Sequence, residues 1–224
     1  MRFREWEPVY RQILDSLGFE RRGDEDARDI LAGLARPFDR SRLAWAGKTV
    51  VICGAGPSLS ADLDILDDVD VIVAASSAAD VVRDAGYSVD LMVTDLDKNP
   101  ETVVELTTAG VPVAIAAHGD NIPALREWVP KCDLDNVLAT TQAEPTGPVV
   151  NWGGFTDGDR AAFIADQLGA GELRFAGWDF DDPTVDSMKA EKLAWAERLL
   201  EWLERRRSEQ FSILDGRRGA LDPL

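Results

Sequence analysis

Thr49-Val50-Val51-Ile52-Cys53-Gly54-Ala55-Gly56-Pro57-Ser58-Leu59-Ser60 is the stretch whose reading decides the fold. Its first five residues are continuously apolar or β-branched, as expected of a strand covered on both faces. Two glycines and a proline then force a turn, and a helix can start beyond them. The pattern repeats along the chain. Further strand-like runs fall at 70–75, 91–94, 113–117, 137–140 and 173–176. Helical spacing fills the gaps, over about 61–66, 78–85, 100–109, 122–128 and 157–168. Strand–helix alternation predicts an α/β fold: an open, mostly parallel, doubly wound sheet with helices on both faces.

Outward from this core, Trp6, Val9, Tyr10, Ile13, Leu14 and Leu17 recur at helical spacing, and Gly18 stops the run. A second helix is expected over 24–35, ended by Pro37. A long C-terminal helix is expected over 187–207, with Leu193, Trp195, Ala196, Leu199, Leu200 and Leu203 on it. The predicted organisation is an N-terminal helical arm at 1–45, an α/β core at 46–210 and a loosely ordered tail at 211–224.

Composition excludes several function classes. The 224 residues suit one large domain and carry a net charge of −17, which repels nucleic acid and does not favour anionic membranes. No apolar stretch is long enough to span a bilayer, and the first ten residues lack a signal-like apolar block, so a cytoplasmic protein is expected. Two cysteines and one histidine rule out a disulfide framework and a zinc site of several histidines. The acid is mostly Asp, 27 against 14 Glu, and the base mostly Arg, 19 against 5 Lys. Such a lysine-poor acidic surface suggests adaptation to high salt. Small-molecule partners fit best, with a homodimer left open.

In parallel sheets ligands bind at the carboxyl ends of the strands, and the unusual residues fall there. Gly54, Gly56, Pro57 and Ser58 could seat a phosphate or nucleotide on backbone N–H groups; the alternative is a plain turn with Ser58 or Ser60 as N-cap. Thr94-Asp95-Leu96-Asp97 ends another strand. Asp95 and Asp97 share a side in extended backbone and suit magnesium, which takes one or two carboxylates plus substrate phosphates. His118-Gly119-Asp120-Asn121 offers a third carboxylate and two groups able to read ring edges. Gly154-Phe155-Thr156-Asp157-Gly158-Asp159-Arg160 opens a helix; Phe155 could stack on a flat ring, while Thr156 or Asp157 could simply be an N-cap. Lys189 and Lys192, two of only five lysines, share a helical face and suit a polyphosphate; the alternative is a salt-bridged surface.

Together these motifs resemble the archaeal 6-hydroxymethyl-7,8-dihydropterin pyrophosphokinase family. The similar features stand here as Gly56-Pro57-Ser58, Thr94–Asp97, 118–121 and 154–160, in the same order across about residues 45 to 200. The resemblance implies a fold related to thiamine pyrophosphokinase, ATP as co-substrate, Mg2+, and a place in folate or methanopterin synthesis. On that reading Asp95, Asp97 and Asp120 hold the metal and serve catalysis. Gly54, Gly56, Pro57, Ser58, Lys189 and Lys192 bind ATP or its phosphates. Thr94, His118, Asn121, Phe155, Thr156 and Asp157 frame the pterin alcohol. Rival readings are a nucleotide-sugar glycosyltransferase with its own Asp-x-Asp site, a nicotinamide oxidoreductase, which Leu59 at the third glycine position opposes, and a non-catalytic nucleotide sensor. AMP as product from ATP would separate pyrophosphoryl transfer from all three.

Overall fold

A computed structural model describes residues 1–220 and Leu224. The strands β1 (Thr49–Cys53), β2 (Val71–Ala75), β3 (Leu91–Thr94), β4 (Val113–Ala117), β5 (Val137–Thr141) and β6 (Glu172–Ala176) form one sheet in the order β5-β4-β3-β2-β1-β6. Every neighbouring pair is parallel. The strand period of two sorts their side chains. Val50, Ile52, Val73, Leu91 and Val93 feed the core on one face. Val51, Cys53, Ala74, Met92 and Ile115 feed the core on the other. Both faces are buried, which is why these strands read as unbroken apolar runs.

Helices α3 (Ala78–Asp84), α4 (Pro100–Thr108) and α5 (Ile122–Trp128) connect β2 through to β5. All three bury Val82, Val103, Leu106 and Leu125 against one face. After β5 the chain returns past β1 to reach β6, through α6 (Asp157–Gln167) on the opposite face. The long α7 (Ser187–Arg207) packs beside it with Leu199, Leu200 and Leu203 fully buried. The doubly wound arrangement expected from the alternation is therefore present.

Two local expectations are corrected, at 61–66 and in the tail. The helix expected at 61–66 is instead a pair of 3-10 turns, Pro57–Ser60 and Leu63–Asp68. Acidic residues with poor helix propensity crowd this connection, and the Asp62 carboxylate is drawn away to accept the Gly177 amide at 2.9 Å.

The N-terminal arm packs on the core, as expected. Helix α1 (Phe3–Leu17) sinks Trp6, Tyr10 and Ile13 completely into the core shared with α6 and α7, where Trp6 meets Phe163 edge-on at 6.3 Å between ring centroids. Helix α2 (Arg21–Leu34) buries Ala27 and Leu31 in the core on the other face of the sheet. Between them Gly18, with φ of 70°, ends α1 in the left-handed conformation that favours glycine, and the chain crosses the carboxyl edge of the sheet.

The tail, expected to be loose, is packed through Arg218: Phe211 and Leu214 are buried. The cause lies on α7, whose Glu197, Glu201 and Glu204 are buried carboxylates that need partners. Arg217 pairs with Glu197 and Asp181, and Arg218 reaches Glu204 at 2.7 Å. The rest of the expected loose tail, 221–223, lies outside the described residues.

Among the described residues no helix is long and apolar enough to cross a membrane. The surface charge leads to a prediction. Most of the ion pairs involve exposed side chains and contribute at most about 1 kcal/mol each, so screening them costs little. Screening the self-repulsion of 41 acidic against 24 basic residues gains more. The melting temperature is expected to rise as potassium chloride is added into the molar range. A flat or falling curve would remove the high-salt reading.

Candidate functional site

Because all strands run the same way, their carboxyl ends share one edge, and a cavity of about 830 Å³ opens there. Its floor comes from Ser76 after β2, Asp95 and Asp97 after β3, His118 after β4 and Gln142 after β5. Its walls come from the starts of α2, α6 and α7, through Phe19, Asp24, Phe155, Asp157, Lys189 and Lys192. The junction between α1 and α2, from Phe19 to Asp24, is thus part of the cavity wall.

The centre of the floor is a tight turn. Thr94, wholly buried, accepts the Leu96 amide on its hydroxyl at 3.0 Å, and Asp95 accepts the Asp97 amide at 3.1 Å. Leu96 has a φ of 71°, a conformation that costs a branched residue energy and persists only where the surroundings enforce it. Asn121 supplies that enforcement. Its Nδ2 donates to Asp95 O and Ala116 O at 2.9 and 2.7 Å, and its Oδ1 accepts the His118 amide. His118 Nε2 in turn lies 3.2 Å from the Asp95 carboxylate.

Electrostatics separates the two carboxylates. Burial would push Asp95 up, but the His118 ring and the Asp97 contacts hold it well below the usual carboxylate range. Burial, then the hydrogen bond and charge of Asp95, push Asp97 up. Two like charges held this close are relieved by a cation. Asp157, at the start of α6, lines the cavity and is mostly buried; burial, then the charge of Asp95, raises its carboxyl well above the ordinary value. Among the described residues no three His, Cys, Asp or Glu side chains are gathered to hold a metal by themselves. Asp95 and Asp97 fit a magnesium ion that draws its other ligands from phosphates and water. Asp120 sits exposed at the rim without a hydrogen bond to the pair.

The glycine loop has another job than the one expected. The amides of Gly54, Gly56 and Ser58 donate to Ala176 O, Gly177 O and the Asp179 carboxylate, at 2.8, 2.9 and 2.9 Å. A Cβ on Gly54 or Gly56 would stand 2.6 or 2.7 Å from Gly177 O, so the glycines admit the β6 loop rather than a phosphate. This fills the crevice between β1 and β6, where the strand order reverses and a ligand would usually sit. Of the loop only Ala55 lines the cavity; Gly54, Gly56, Pro57 and Ser58 do not. Thr94 and Asn121, expected to touch substrate, are spent on holding the turn. Thr156 caps α6, donating its hydroxyl to Asp159 at 2.6 Å, yet still faces the cavity. Asp95, Asp97, His118, Asp120, Phe155, Asp157, Lys189 and Lys192 are brought together around it.

Sequence reading missed Phe19, Asp24, Ser76, Gln142 and Arg160, all in the cavity lining. Ser76 had a usable signal, since it follows a buried strand as Asp95 does. Its φ is 52°, and its buried hydroxyl has no hydrogen-bond partner among the described residues. Arg160 stood inside a recognised motif without a role. Asp24 and Gln142 had no local signal.

The class of protein is defined first by fold and cavity: a doubly wound α/β protein whose acidic, cation-flanked site lies at the carboxyl edge of a parallel sheet. Residues 27–184, which include all six strands, match the family model described as 6-hydroxymethylpterin diphosphokinase MptE-like. The chain belongs to that family. It is similar to the 6-hydroxymethyl-7,8-dihydropterin pyrophosphokinase of Methanothermobacter thermautotrophicus, 38% identical over 220 residues, 89% of this chain and 94% of that one. It is 36% identical to the enzyme of the same name from Pyrococcus furiosus, over 95% of this chain and all of that one. The one from Methanocaldococcus jannaschii is 31% identical over 91% of this chain and 96% of its own. Among solved structures, a MAf glycosyltransferase from Magnetospirillum magneticum aligns over 72% of this chain and 29% of its own, at 19% identity and a TM-score of 0.39, too low to carry an argument.

Proposed function

We propose that the protein transfers the diphosphoryl group of ATP to the hydroxymethyl oxygen of 6-hydroxymethyl-7,8-dihydropterin, in a cytoplasmic pathway to folate or methanopterin. The observation that carries this reading is the near full-length similarity to three pyrophosphokinases, joined to a cavity that gathers carboxylates and cations on one strand edge. The substrate oxygen attacks the β-phosphorus, its bond to the α–β bridging oxygen breaks, and AMP leaves with that oxygen. Such transfers need positioning and charge neutralisation more than covalent help.

The chain's own groups supply this. Asp95 and Asp97 would hold magnesium, which supplies charge neutralisation across the phosphates when bound. His118 fixes the Asp95 carboxylate. Asp157 lines the cavity with Asp95 and Asp97, and its carboxylate would take the hydroxyl proton. Lys189 acts on Asp157 by charge and lies exposed at the rim, where it can meet the polyphosphate. Phe155 and Phe19 offer flat faces for the ring.

The test is incubation with ATP, magnesium and the pterin alcohol, with products read by mass. AMP and the pterin diphosphate are expected. ADP would mean ordinary kinase chemistry, and ATP binding without turnover would mean a sensor; either overturns the proposal.

A further inference from the structure

Arg160 closes the first turn of α6 and is 2% exposed, yet it lines the cavity. A guanidinium carries five N–H donors and no acceptor. Here two hydrogen bonds are made, both from Nη2 and both to neutral oxygens: Gln142 Oε1 at 3.4 Å and Phe155 O at 3.2 Å. Buried Nε has no partner among the described residues. Among the described residues Arg160 makes no ion pair; Asp159, Asp157, Asp24 and Asp95 act on it by charge alone.

Three of those four carboxylates are committed elsewhere. Asp159 accepts the Thr156 amide and hydroxyl and the Phe155 amide. Asp24 accepts the Tyr10 hydroxyl, the Gly119 amide and the Gln142 amide, at 2.6, 2.9 and 2.8 Å. Asp95 accepts from the Asp97 amide and faces His118. Burying a cation without a bonded counter-charge is expensive unless something completes it. Elsewhere this chain does complete such charges: Arg207, also largely buried, reaches Asp166 at 2.9 Å and Glu209 at 2.5 Å.

We propose that Arg160 is a phosphate-binding residue of the reaction, its free N–H groups taking non-bridging oxygens of the diphosphoryl group in transfer. This rests on the pyrophosphokinase reading. An anion is favoured over the pterin because a guanidinium fork matches phosphate geometry in a bidentate fashion. A pterin presents its carbonyl and a neighbouring ring nitrogen as neutral acceptors, whereas the diphosphoryl group also brings the negative charge that the buried guanidinium lacks. The cavity therefore carries two kinds of cation: Lys189 exposed at the mouth, and Arg160 held buried and in register by the α6 cap.

Arg160→Lys keeps the charge and loses the fork. Isothermal titration of wild type and variant with inorganic pyrophosphate plus magnesium, and separately with the pterin alcohol, tests the assignment. Pyrophosphate affinity is expected to fall at least about tenfold, equivalent to roughly 1.4 kcal/mol. Pterin affinity should stay within about twofold, and kcat/KM for ATP should fall in parallel with the pyrophosphate loss. Loss of pterin affinity with pyrophosphate binding intact would overturn the proposal in favour of ring recognition. A lowered melting temperature with both affinities intact would overturn it in favour of a purely structural charge. Should the variant fail to fold, a crystal structure of the wild type with magnesium pyrophosphate decides. Phosphate oxygens within about 3 Å of Arg160 nitrogens are expected, and pyrophosphate seated away from it overturns the proposal. Wild-type AMP release is scored independently, so failure of the arginine role is distinguishable from failure of the activity.

Discussion

Asp95→Asn and Asp97→Asn are each expected to lower turnover at least about a hundredfold while the protein stays folded, the size of effect seen when a preorganised charge is removed from a reacting site. The substitution is isosteric. An asparagine oxygen at 95 can still accept the Asp97 amide that the carboxylate now accepts at 3.1 Å, so the turn survives. What disappears is one of two negative charges held so close that their protonation behaviours are driven apart. Asp120→Asn provides the contrast: exposed and unbonded at the rim, it should change turnover only a few-fold. The comparison is made at saturating magnesium with circular dichroism as the folding control. Near-normal rates in both variants of the pair would remove the metal assignment.

Trp6→Ala carries the largest expected effect on stability, about 3–5 kcal/mol by denaturant titration, as for other buried aromatic truncations. Trp6 is wholly buried, stacks near Tyr10 and Trp202, meets Phe163, and donates its indole N–H to Gln142 O at 2.9 Å. The carbonyl is not orphaned by the change, because Asn151 also donates to it at 2.9 Å; the loss comes from the cavity and the missing contacts. For a chain of 224 residues this corresponds to a fall in melting temperature on the order of 10 °C. Gln142 also faces Arg160, so a raised KM should accompany the loss. A change below about 1 kcal/mol would mean that α1 contributes little to the core.

The two variants mark where sequence reading succeeds and where it stops. Asp95 and Asp97 were legible because a run such as Leu91-Met92-Val93-Thr94 must be buried on both faces, and polar residues right after it must emerge at the sheet edge. Trp6 was legible as a helix face but not as part of a site, because amphipathic spacing states that a face is covered and not what covers it. The same limit misled the reading of Gly54 and Gly56. A glycine reports that something approaches closely; here the approaching group is Gly177 O in the loop that follows β6, far along the chain.

By itself the sequence determined the strand order along the chain, the helices other than the one expected at 61–66, the parallel class of the sheet, the acidic edge at Asp95 and Asp97 and the resemblance to its family. These depend on periodicity and on short motifs, information carried within a turn or a strand. Only the tertiary structure decided that α1 and α2 lie on opposite faces, that Phe19 and the start of α2 wall the cavity, that Arg217 and Arg218 pin the tail to buried glutamates, and that Arg160 has no bonded carboxylate among the described residues. Each of these is a question of which charges and surfaces meet across more than ten residues of separation. Burial makes such meetings energetically decisive, because a charge or an apolar face taken out of water must find its partner wherever the chain happens to bring one.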